Sequence, residues 1–87
     1  MLRKLASLFS STEWEVVING GQADVIKGKV PGQFTHDCCR ILAQENIDTA
    51  HISGVNRGGY TGLQFSANIP ETLHQSLRNA WSLHSSK

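Results

Sequence analysis

Hydrophobic residues recur along this chain with two different periods. After Pro31, the residues Phe34, Cys38, Ile41 and Leu42 follow at i, i+4, i+7 and i+8, which places them on one face of a helix. After Pro70, the residues Leu73, Leu77, Ala80, Trp81 and His84 repeat that stripe. Proline suits the first helical position because the N–H it lacks would have no intrahelical partner and its ring presets φ. Glu71 stands where a helix dipole favours an anion. Asn46 is placed to take a left-handed C-terminal cap, with Ile47 folding back on the helix end. Ahead of each helix the period changes to two. Trp14, Val16 and Ile18 alternate with Glu15, Val17 and Asn19. Asn19-Gly20-Gly21-Gln22 supplies a positive-φ turn, and Ala23 to Gly28 returns. Thr49 to Val55 and Thr61 to Ala67 form a second hairpin around Asn56-Arg57-Gly58-Gly59, with Leu63 and Phe65 on one side.

The two halves share a grammar. Val30-Pro31-Gly32-Gln33-Phe34 resembles Ile69-Pro70-Glu71-Thr72-Leu73 at an offset of 39, which also pairs Cys38 with Leu77, Ile41 with Ala80, Leu42 with Trp81 and Ile26 with Phe65. Further upstream the register needs a gap. The pattern reads as a tandem duplication and predicts an α+β fold: a β-β-α-β-β-α order with a four-stranded antiparallel sheet and both helices on one face. The other sheet face is rich in Thr, Ser, Gln and His and can stay wet. Residues 13–87 are expected to form a single domain. Residues 1–12 are a short amphipathic segment whose Leu2, Leu5, Leu8 and Phe9 make an apolar edge beside Arg3 and Lys4. Such a segment can pack on its own domain or fray, dock on a partner or second subunit, or touch a membrane surface.

Composition narrows the partners. The 87 residues carry 8 Lys+Arg against 7 Asp+Glu, a net +1, and charged residues make up 17%, below the usual ~25%. No basic cluster of domain size marks a nucleic-acid footprint. Low net charge permits self-association. The amino end has no apolar run longer than Leu8-Phe9, too short for a signal-peptide core or a membrane span. The expectation is therefore a soluble, cytoplasmic chain.

Candidate chemistry is sparse. Gly54-Val55-Asn56-Arg57-Gly58-Gly59-Tyr60-Thr61 has the spacing of a phosphate-binding loop, but Tyr60 replaces the lysine and strands flank it where a helix must follow. Turn glycines explain it better. Cys38 and Cys39 are adjacent and sit in a helical pattern, so they build no disulfide framework. In Thr35-His36-Asp37-Cys38-Cys39, His36 and Cys39 stand three apart and could form a thiol or metal site, whereas Cys38 belongs to the buried stripe. The competing reading has Cys38 in the core and His36 solvated on the first turn. Trp14 and Trp81 are assigned to the core or to an oligomer surface. Arg57, Tyr60 and Arg78 are the residues with which the chain could touch RNA or single-stranded DNA, although paired stacking aromatics are lacking.

Leu63-Gln64-Phe65-Ser66-Ala67-Asn68-Ile69-Pro70, followed by Arg78-Asn79-Ala80-Trp81, resembles a family of small bacterial proteins of unknown function. In that family a strand ending in Phe-Ser leads through Ile-Pro into a helix that closes with Arg-Asn-x-Trp. Lys27-Gly28-Lys29-Val30-Pro31 is similar to its Lys/Arg-Gly-x-apolar-Pro turn. The resemblance spans roughly residues 14–83 and implies a bacterial origin and the fold above, but no activity. Some relatives begin with a membrane segment, a feature that does not carry over to the short leading stretch here. The sequence thus predicts a non-catalytic interaction module, protein-binding or self-associating, with no cofactor and no metal. The alternative is a weak RNA or single-stranded DNA binder.

Overall fold

The computed structural model describes residues 12–85. The elements run β1 (Thr12–Asn19), β2 (Gln22–Lys27), α1 (Gly32–Ala43), β3 (Thr49–Asn56), β4 (Thr61–Phe65) and α2 (Glu71–Ser85). The four strands form one antiparallel sheet in the order β2-β1-β3-β4. The first strands of the two β-β-α units therefore pair at the centre, and the returning strands form the edges.

Trp14, Val16 and Ile18 of β1 and Ala50 and Ile52 of β3 point to one face. There they meet Phe34, Cys38, Ile41 and Leu42 of α1 and Leu73, Leu77 and Ala80 of α2 in a single buried cluster. Both helices thus cover the same side of the sheet, as the repeated stripe requires. The helix ends follow local rules. Asn46 adopts φ 59°, its N–H donates to the Ala43 carbonyl, and the Ile47 N–H donates to the Leu42 carbonyl at 3.0 Å. Together these bonds complete a Schellman motif, with Ile47 packed on the core.

Three local features differ from the pattern-based expectation. The second turn is displaced by one residue, with the Arg57 N–H donating to the Tyr60 carbonyl, and β4 ends at Phe65. In place of a longer strand, Ser66 and Asn68 build a turn. The Ser66 Oγ accepts from the His51 N–H and donates to Asn68 Oδ1, and Asn68 Nδ2 donates to the Thr49 carbonyl. The third difference lies in β2, where a register shift opposite Glu15 and Val16 inserts an extra residue. Ile26 is left 58% exposed, unlike the half-buried Phe65 with which the offset paired it.

Candidate functional site

The expected contact residues of the leading segment, Leu2, Leu5, Leu8 and Phe9, lie outside the described residues. Of the remaining candidates, Tyr60, Arg78, His36 and Cys39 fall at two grooves that occupy corresponding places in the two units. Each lies between the start of a returning strand and the outer side of the helix that follows it.

The groove beside β4 is about 690 Å³ and is lined by Tyr60, Thr61, Leu63, Arg78, Trp81 and Ser82, among others. Gly58 and Gly59, at φ 79° and 130°, let the chain reverse there, and Asn56 Oδ1 accepts the Gly58 N–H at 2.7 Å. This turn leaves Tyr60 68% exposed. Trp81 is half-buried, packing against Trp14 at 4.8 Å and Phe34 at 5.2 Å between ring centroids. Arg78 lies over the Phe65 ring, 5.6 Å from its centroid, and His74 stacks on the same ring at 4.3 Å. The Thr61 hydroxyl donates to Glu13 Oε1 at 2.6 Å, which ties this hairpin to the start of β1. Of the three residues proposed for nucleic acid, Tyr60 and Arg78 meet here. Arg57 does not line the groove. Its Nε would sit 2.8 Å from a methyl group at Gly62, and strand alternation turns position 62 to the face away from the helices.

The corresponding groove beside β2, about 740 Å³, is lined by Gly21, Gln22, Thr35, His36, Cys39 and Arg40, among others. It brings His36 and Cys39 to one surface, but the thiol chemistry is unfavourable. Desolvation raises the Cys39 pKa above its ordinary value. Burial pushes the Cys38 thiol up to about 12, with smaller contributions from Cys39 and Asp37. Both are neutral thiols near neutral pH, and the thiolate is the nucleophile and metal ligand. Cys38 is a core residue. Among the described residues, no group of three or more His, Cys, Asp or Glu side chains is placed to hold a metal ion. An alkylating reagent should modify Cys39 slowly in the folded protein and Cys38 only on unfolding, which mass spectrometry of the two peptides will show.

The polar contact the sequence did not reveal lies next to this pair. Asp37 Oδ2 is 2.6 Å from His84 Nε2, a bond that joins α1 to the last turn of α2, and Asp37 Oδ1 accepts from Arg40 at 3.2 Å. The His84 hydrogen bond, followed by that from Arg40, holds the Asp37 carboxyl below its ordinary value of 3.8 against the opposing effect of desolvation. A carboxyl lowered by folding stabilises the native state above its unfolded pKa and loses that contribution as pH falls through its folded pKa. Wild-type protein should therefore lose stability from about pH 4 downward. Asp37→Asn should flatten that part of the curve, as urea midpoints measured against pH will report.

The phosphate-loop spacing has a structural explanation. Gly54 lies within β3, opposite Trp14, and a methyl group there would fall 2.7 Å from the indole Cζ2 and closer still to Cε2 and Nε1. Gly54 is a seat for the Trp14 ring, and the glycines at 58 and 59 serve the turn.

The fold and grooves define an α+β domain made of two β-β-α units on one shared sheet, and among the described residues its most exposed aromatic side chain, Tyr60, stands at the β4 edge. The chain belongs to the family described as protein of unknown function (DUF3634), whose model matches residues 6–87. No curated protein and no solved structure matches it. Among the described residues, no helix is long and apolar enough to cross a membrane.

Proposed function

We propose that this chain is a non-catalytic interaction module that binds protein or associates with itself. The observation that supports this reading is the β4 groove, where the exposed Tyr60 and the half-buried Trp81 flank Arg78. Tyr, Trp and Arg are the side chains enriched at protein interfaces, because each offers a large rigid or planar contact area with a polar tip. The neutral thiols of Cys38 and Cys39 favour the same reading over nucleophilic chemistry. The resemblance to small bacterial proteins is the basis for reading the origin as bacterial, and the absence of a long apolar run in the sequence is the basis for a cytoplasmic location. Sedimentation velocity across a wide range of concentration tests self-association. A species heavier than one chain is expected at high concentration, and a strict monomer throughout would refute that half of the proposal.

A second reading, weak binding of RNA or single-stranded DNA through Arg57, Tyr60 and Arg78, gains from the meeting of Tyr60 and Arg78 in one groove. An aromatic face beside a guanidinium suits a stacked base. Affinity for a single-stranded oligonucleotide should then fall steeply as salt rises and should drop in Tyr60→Ala. No binding at low salt would exclude this reading.

A further inference from the structure

Among the described residues the strand order leaves two edges, β2 and β4, and they differ in a way that bears on association. An exposed edge is a row of unpaired N–H and C=O groups and a template for further pairing, unless bulges, charges or proline blunt it. On β2 the register shift at Glu15/Val16 breaks the line of the strand, and Asp24 and Lys27 place charges on it. β4 has none of these devices. Its sequence, Thr61-Gly62-Leu63-Gln64-Phe65, is uncharged and free of proline, and its pairing with β3 runs without a shift.

The hydrogen bonds show which backbone groups of β4 are free of β3. The Arg57 N–H donates to the Tyr60 carbonyl, and the Ser66 N–H donates to the His51 carbonyl at 2.9 Å. Antiparallel ladders alternate bonded and non-bonded pairs, so Gly62 and Gln64 bond to β3 between those two points. Thr61, Leu63 and Phe65 direct their N–H and C=O groups to the open edge. Their side chains lie on the helix-covered face, where Leu63 and Phe65 pack partly on the core. The space above this edge is the groove between β4 and α2.

We infer that β4 pairs antiparallel with β4 of a second copy of this chain, extending the sheet across a two-fold axis at Leu63. This inference deepens the self-association reading above and rests on it. The edge is complementary to itself. With Leu63 opposite Leu63 of the second copy, Thr61 falls opposite Phe65 and Phe65 opposite Thr61, so the three outward residues of each chain all find bonding partners. On the other face Gly62 meets Gln64, the facing strand residues are uncharged, and Arg57 of each copy lies against its own Gly62. The net charge of +1 adds little repulsion between copies.

Amide hydrogen exchange measured with sedimentation across a range of concentration tests the inference. The Gly62 and Gln64 amides should be protected at every concentration. The Thr61, Leu63 and Phe65 amides should gain protection of about tenfold or more as the heavier species forms. Leu63→Pro removes the central outward donor and no bond to β3, a substitution edge strands tolerate. It should abolish the heavier species while tryptophan fluorescence stays native. If a dimer forms but the three amides stay unprotected, β4 pairing is wrong and self-association stands. A chain monomeric throughout overturns both. If Leu63→Pro fails to fold, the wild-type exchange pattern still decides.

Discussion

Substituting alanine for Phe34 should cost the domain about 3–5 kcal/mol, the range for removing a large buried aromatic side chain. Phe34 is fully buried and stands edge-on to two indoles at once, 5.5 Å from the Trp14 centroid and 5.2 Å from that of Trp81. Truncation therefore leaves a cavity and also removes the edge-to-face contacts that hold both rings. The walls cannot easily collapse, because Trp14 is fixed in a central strand and Trp81 on a different helix from Phe34. Small domains are stable by about 5–15 kcal/mol in total, so the variant will approach its unfolding threshold at ambient temperature. Urea titration followed by tryptophan emission should show a large drop in midpoint and, because both indoles report on this site, a changed native spectrum. A loss below about 1 kcal/mol would mean that the aromatic cluster is not the keystone of the core.

Gly54→Ala should destabilise the domain by about 3 kcal/mol, at or above the upper end of ordinary overpacking costs. In most strand interiors this change is favourable, because glycine loses more conformational freedom on folding than alanine. Here the added methyl would meet three atoms of the Trp14 indole. Neither side can yield freely: β3 is paired on both edges, and the ring is gripped by Phe34 and Trp81. Trp14→Leu should relieve the clash, so a double-mutant cycle should show that Gly54→Ala is much less costly in the Trp14→Leu background. Additive costs would show that the indole and the glycine are not coupled.

Local rules made much of the fold readable in the chain. Pro31 and Pro70 stand one residue ahead of the helices and not at their first helical position. Pro31 is a non-helical N-cap at ψ 136°, where a missing N–H still costs nothing, and the stripes behind the two prolines are the buried faces. Asn46 and Ile47 form the expected cap. Cys38 lies in the core because its place in the stripe outweighs its thiol. What escaped the sequence depends on pairs that only the tertiary fold creates. Asp37 and His84 are 47 residues apart, and no local pattern joins them. The seat for Trp14 exists only because β1 lies beside β3. An isolated glycine inside an alternating run signals close backbone approach, but at Gly54 that signal was masked by its place in a nucleotide-like spacing. The extra residue in β2 was likewise invisible, and with it the exposure of Ile26. At the candidate site, Tyr60 and Arg78 were legible as residues and their shared groove was not. Arg57 was separated from them by the strict alternation of β4.

The central pairing of β1 with β3 also orders events during synthesis. The first β-β-α unit leaves the ribosome before β3 exists, so Trp14, Val16 and Ile18 wait under a single helix while the flank of β1 that will receive β3 is bare. A half-length nascent chain therefore lacks the bonding partner of β1 and the α2 half of its apolar cover. The second half supplies both missing parts, since β3 closes the bare flank of β1 and Leu73, Leu77 and Ala80 of α2 complete the shared core.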